Sequence, residues 1–115
     1  YPDGYFDLVV SHNLFHELTA ADNKGTLEEC FRILRPGGVV AHLDLPFKNA
    51  EKDLFEQYQG DFQTLNNAEP CWRVYTNMDH AGALARSGFA EGHITTANRA
   101  RKDGPGTWWI FAAQR

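Results

Sequence analysis

Three side chains in the first half of the sequence could carry acid–base chemistry. His12 and His16 lie four residues apart, and Asp44 closes an apolar run further on. An imidazole or carboxylate within hydrogen-bond reach of a substrate proton can act as a general base. The same residues also fit a plainer role, as hydrogen-bonded loop residues that hold strand ends. Metal binding is a third use of two histidines at this spacing, which share a face if helical. His16-Glu17 begins like a zinc-protease motif, but Ala20 stands where the second His is required. The stretch His12 to His16 also lacks the Glu of the inverted motif. No metal site is expected, and His80 and His93 have no partner pattern.

The elements that must position these residues are legible. Phe6 to Ser11 is an apolar, β-branched run without alternation, which predicts a strand covered on both faces. His12 to Leu18 reads as a loop or a short helical turn. Thr19 is a good N-cap, with Asp22 as a weaker form of the capping box, and a helix is predicted to about Leu34. Leu27, Cys30, Phe31 and Leu34 form its apolar stripe. Pro36 prevents continuation, and Gly37-Gly38 supply the positive φ for a turn into a second buried strand, Val39 to Leu45. Strand, helix and strand in this order form a βαβ unit with a right-handed crossover. Open α/β sheets bind ligands at the carboxyl ends of parallel strands. Those ends are Ser11-His12-Asn13 and Asp44-Leu45-Pro46.

Further along, Leu54, Tyr58, Phe62 and Leu65 keep a near-helical spacing, which predicts a helix from about Ala50 to Leu65. A short helix is predicted from Met78 to Ser87, capped by Asn77. Phe89 to Thr96 and Thr107 to Ala113 read as antiparallel strands joined by the turn Asp103-Gly104-Pro105-Gly106. Trp108 and Trp109, as strand neighbours, must point to opposite faces.

Asp3-Gly4-Tyr5-Phe6-Asp7-Leu8-Val9-Val10, the Leu14-Phe15-His16 turn and Phe31-Arg32-Ile33-Leu34-Arg35-Pro36-Gly37-Gly38 together resemble the class I S-adenosylmethionine-dependent methyltransferases, type 11-like. Ser87-Gly88-Phe89 resembles the approach to the sixth strand of that family. The resemblance implies an α/β fold: the C-terminal half of a Rossmann-like sheet, strands four to seven, with flanking helices. The last strand is expected to insert antiparallel between the fifth and sixth. One partial domain over 1–115 is implied, with a helical insert at about 47–77. The implied function is methyl transfer from S-adenosylmethionine to an unidentified small-molecule acceptor. By the same resemblance, Ser11, His12 and Asn13 border the cofactor, and His12, His16 and Asp44 are the catalytic candidates. Tyr58, Asn66, Asn67 and Trp72 are candidate substrate contacts. The aromatic ones equally fit a core under a helical flap, and the polar ones fit turn or cap residues.

One departure is large. The glycine-rich turn after a first strand and the ribose-binding carboxylate are not in this sequence. The glycine pairs present, Gly37-Gly38 and Gly104 with Gly106, do not lie between a strand and a helix N-terminus. The 115 residues alone are therefore expected to have little activity. An alternative is a non-catalytic, self-associating module, because an apolar edge at 6–11 invites pairing with another copy. A reductase or hydrolase is less favoured, since no G-x-S-x-G or Tyr-x-x-x-Lys pattern occurs.

Composition narrows the classes further. Apolar residues make up 43% of the chain, enough for a packed core, and the net charge is −4. Arg99, Arg101 and Lys102 read as a solvated turn, so no nucleic-acid partner is expected. No apolar run is long enough for a membrane span. Cys30 and Cys71 form no C-x-x-C pair and suit a reducing cytoplasm, although one disulfide between them also fits.

Overall fold

The two apolar runs lie side by side as parallel strands. The computed structural model describes residues 1–45, 53–102, 104 and 106–115. Strand β1 is Phe6–His12, and a single 3-10 turn follows at Phe15–Glu17. Helix α1 is Ala20–Ile33, and strand β2 is Leu34–Asp44. Helices α2 (Leu54–Asn66), α3 (Trp72–Thr76) and α4 (His80–Arg86) come next. A 3-10 turn at Glu91–His93 leads into β3 (Ile94–Ala100), and β4 (Thr107–Gln114) closes the described chain.

The sheet order is β1-β2-β4-β3. β1 and β2 are parallel, and β4 runs antiparallel to both β2 and β3. The last strand is thus inserted between its two predecessors, as the resemblance implied. The fold is mixed α/β and partial, with a four-stranded sheet.

Thr19 caps α1 as its sequence predicts: its side chain accepts from the Asp22 amide at 3.2 Å. The helix stops earlier than Pro36, because Leu34 has already turned extended at ψ 137°. β2 therefore starts at Leu34 rather than Val39. The pairing jumps from Phe6↔Leu34 to Leu8↔Val39, so Arg35 to Gly38 bulge out of the ladder. Gly37 turns that bulge with φ 81°. Gly38 is needed for closeness instead, since a Cβ there would lie 2.9 Å from the Arg35 carbonyl oxygen.

The short helix α4 is capped by Asp79, not Asn77: its carboxylate accepts from the Gly82 amide at 2.9 Å. Asn77 instead follows α3, a helix the spacing did not predict. β3 begins at Ile94 because the 3-10 turn occupies the preceding residues. The expected helix start near Ala50 lies outside the described residues, as do Asp103 and Pro105 of the hairpin turn. Within the region 47–77, the described part holds α2 and α3.

The core lies on one face of the sheet. Val40 of β2, with Trp109, Phe111 and Ala113 of β4, packs there against Phe15, Leu27, Cys30, Tyr75 and Leu84. The other face departs from expectation. Leu8 and Val10 of β1 are 56% and 65% exposed, so β1 is covered on one side only. Trp108 and Trp109 do point to opposite faces: Trp109 is buried, whereas Trp108 packs on His12.

Candidate functional site

Asp44 is the last residue of β2, and the register His12↔Leu43 brings the end of β1 level with it. Its carboxylate is fully buried. Oδ2 accepts from the Phe15 amide at 2.8 Å, and Oδ1 from the Leu45 amide at 2.7 Å. Oδ1 also lies 2.5 Å from Nδ1 of His16. A buried carboxylate persists only when hydrogen-bonded in this way. The pair ties the turn after β1 to the end of β2.

His16 is held on its other side as well, with Nε2 2.9 Å from Oε1 of Glu17. Trp72 and Tyr75 of α3 meet its ring edge-on, at centroid distances of 5.9 and 6.2 Å. The Tyr75 hydroxyl donates to the Leu45 carbonyl at 3.0 Å. Burial, and then the nearby Asp44, push the Tyr75 hydroxyl well above the ordinary phenol range. It therefore serves as a fixed donor that pins the strand end.

Ser11, His12 and Asn13 do not converge. Ser11 points into the core, its Oγ 2.7 Å from Nδ1 of His42. His12 is exposed on the opposite face, edge-on to Trp108 at 4.8 Å. Asn13 sits at φ 53°, exposed, with its amide donating to the Leu43 carbonyl at 2.9 Å. Of the catalytic candidates, the structure brings His16 and Asp44 together and leaves His12 on the other side of the sheet. Among the described residues no group of three or more potential metal ligands is found.

Trp72 lies beside His16, whereas Tyr58, Asn66 and Asn67 lie on and after α2. Tyr58 is exposed and contacts Phe62. The Asn66 amide donates to the Phe62 carbonyl at 3.1 Å, and the Asn67 amide donates to Gln63 at 2.5 Å. Asn66 thus bonds a carbonyl of the last turn of α2, and Asn67 a side chain of that turn.

His42 was not singled out from the sequence. Its ring is buried between Phe15 and Phe111, at 4.4 and 5.0 Å. Burial pushes its pKa down to about 4, against the opposing pull of Asp44. The signal was available in the strand period: Val40, His42 and Asp44 are alternate residues of one run and so share one face.

The glycines near the strand ends form no cradle for a cofactor. Gly4 precedes β1, Gly37 and Gly38 lie in the β2 bulge, and Gly88 follows α4. None lies in a turn from a strand end into a helix N-terminus, where backbone amides would grip an anionic or polar cofactor.

Residues 1–42 match a family profile described as a methyltransferase domain. A curated relative, an uncharacterized methyltransferase from Synechocystis sp., is 32% identical over 87 residues, which span 76% of this chain and 40% of the relative. Among solved structures, a possible histamine N-methyltransferase from Thermotoga maritima superposes with a TM-score of 0.66 at 15% identity, over 97% of this chain and 57% of that one. A methyltransferase from Methanosarcina mazei gives 0.64 at 16% identity, over 100% of this chain and 61% of that one. A phosphoethanolamine N-methyltransferase from Haemonchus contortus, holding phosphomonomethylethanolamine and S-adenosylhomocysteine, also gives 0.64, at 13% identity over 100% of this chain and 35% of that one. The chain spans less than half the length of the curated relative. With its inserted antiparallel last strand and the matched profile, the chain carries part of the class I S-adenosylmethionine-dependent methyltransferase fold.

Proposed function

We propose that this chain is the acceptor-side part of an S-adenosylmethionine-dependent methyltransferase acting on a small molecule. The observation that carries the proposal is the His16–Asp44 pair at the carboxyl end of the parallel strands, where open α/β sheets bind ligands. The small-molecule ligand of the Haemonchus contortus neighbour supports the acceptor class. When bound, S-adenosylmethionine supplies an electrophilic methyl group. The part of this chain is to hold a proton acceptor: Asp44 orients His16 through Nδ1, which leaves Nε2 as the ring nitrogen away from the carboxylate. The free thiols of Cys30 and Cys71 support a reducing compartment. Among the described residues, no helix is long and apolar enough to cross a membrane.

Titration with S-adenosylhomocysteine tests the proposal. On this reading the 115-residue chain binds in the millimolar range, and the amide signals of Ser11 and Asn13 shift. Micromolar binding would contradict the assignment of the cofactor grip to residues outside the chain. Unmoved signals at saturation would remove the cofactor from this strand end.

A second reading is favoured by the exposed Leu8 and Val10 on the edge strand β1. An apolar edge with open backbone groups pairs readily with its own copy. In this reading the module is non-catalytic and associates through residues 6–11 into a continuous sheet. Light scattering decides it, since a monodisperse monomer at high concentration excludes the pairing.

A further inference from the structure

A cleft of about 400 Å³ opens between α1 and α4. That volume falls in the range of small-molecule sites. Apolar side chains make its walls: Ala20 of α1, Val74 of α3, and Met78 and Ala83 at and before α4. His16, Asp44, Trp72 and Tyr75 are not among the residues that line it, so it is separate from the strand-end site.

Four charged side chains stand at the rim, and they pair off. Lys24 lies 3.4 Å from Glu28 on α1, and Arg86 lies 3.5 Å from Asp79 at α4. All four are about half exposed or more. Two well-solvated pairs of opposite sign leave no net charge for a ligand to answer. An ionic occupant therefore gains little here.

Asn23 is the buried residue of the lining, only 1% exposed, and so forms its floor. Its Nδ2 donates to the Phe15 carbonyl at 3.3 Å and to the Leu18 carbonyl at 3.1 Å. Two carbonyl acceptors on one end of the amide fix which end is nitrogen. Oδ1 is then the end turned away from the 3-10 turn, and it is buried with no hydrogen-bond partner among the described residues. A buried acceptor left in that state is costly and calls for a donor.

We propose that the α1–α4 cleft is a further ligand site, for a small uncharged molecule with an apolar body and one hydrogen-bond donor, and that Asn23 links its occupancy to the turn carrying His16. The apolar walls take the body, and Oδ1 of Asn23 takes the donor. The link follows from the other end of the same amide, which holds the Phe15 and Leu18 carbonyls on either side of His16. The site does not depend on methyl-transfer chemistry.

NMR titration of the unaltered chain with indole and with benzofuran tests this. The two probes share a shape, but benzofuran lacks the N–H and is the more apolar, so burial alone favours it. Indole is expected to bind about fivefold more tightly, the worth of one net hydrogen bond. Its shifts should centre on the amides of Asn23, Lys24, Met78 and Ala83 and extend to Phe15 and Leu18. Tryptamine and indole-3-acetate, a cation and an anion, should bind no more tightly than indole. Ala83→Phe narrows the cleft from its α4 wall and should abolish indole binding with the circular dichroism spectrum unchanged. Benzofuran binding as tightly as indole, a tenfold gain for either charged probe, or indole binding retained by folded Ala83→Phe overturns the proposal. Shifts confined to Val10, His12 and Leu43, or no saturation by indole at millimolar concentration, overturns it as well. Still signals at Phe15 and Leu18 in the indole complex overturn the link to His16. If Ala83→Phe fails to fold, the contrast between indole and benzofuran in the unaltered chain decides alone.

Discussion

The two faces of the sheet are built from the same strands and meet different surroundings. On the covered face, Val40, His42 and Asp44 alternate along β2, and Trp109, Phe111 and Ala113 match them on β4. Every one of these residues is buried beneath the helices or the 3-10 turn. On the other face, Leu8 and Val10 of β1 stand exposed beside partly covered Val39, Ala41 and Leu43. A hollow of about 430 Å³ opens there between Val10, His12, Leu43 and Ile110. On β1 the covered face carries Val9 and Ser11 and the open face Leu8 and Val10, so the apolar content of this strand does not mark which face is covered. Polar chemistry does. The buried His42, Asp44 and His16 all lie with the helices, where low polarity fixes their hydrogen bonds.

The sharpest way to break this comparison is to truncate matched neighbours on β4. Phe111→Ala should remove about 3–5 kcal/mol, because its fully buried ring touches Phe15, His42 and His80. Ile110→Ala, on the other face, should cost well under half as much. Urea unfolding of the two variants measures the difference, and equal losses would show that the open face is as well packed as the covered one.

Asp44→Asn comes next, at about 3 kcal/mol. The amide can accept at one oxygen only, so one of the three donors now met by the carboxylate turns against an NH₂ group. Glu17→Gln should cost almost nothing, since its side chain is more than half exposed. Paired unfolding curves check the contrast between the buried carboxylate at Nδ1 of His16 and the exposed one near Nε2.

His42 gives the comparison a pH dependence. Its folded pKa of about 4 lies below the unfolded value of 6.5, so the unfolded chain binds the proton first as pH falls. The folded state is fully stable, as far as this group matters, above pH 6.5. It then loses about 3 kcal/mol as pH falls from 6.5 towards 4. Thermal unfolding across that window should show the slope, and His42→Gln should flatten it.

The βαβ unit was legible because each of its parts is local: the Thr19 cap, the Leu27-Cys30-Phe31-Leu34 stripe and the Gly37 turn. The inserted position of β4 came from family resemblance, since no local pattern states which strand lies between which. The start of β2 was missed because Pro36 and the glycines look like a stop, and the bulge places them inside a strand. Asp79 was passed over as a cap because Asn77 offers the same chemistry two residues earlier. At the site, His16 and Asp44 were identifiable from the strand ends, but their contact depends on how the 3-10 turn folds back onto β2. Glu17 and His42 acquire meaning only through partners that sequence spacing does not reveal.

The smallest effect on stability tests the open face. Val10→Lys places a charge on a residue already 65% exposed, so unfolding free energy should change by no more than about 0.5 kcal/mol. Association should respond differently. A lysine on the outer strand opposes edge pairing, because two copies meeting there would bring like charges together and bury them. Light scattering at matched concentration should then show a smaller mean mass than the unaltered chain. Val40→Lys, its counterpart on the covered face, should unfold the protein outright. If Val10→Lys were also strongly destabilising, Val10 would have to be packed against something, and the division between the two faces would fail.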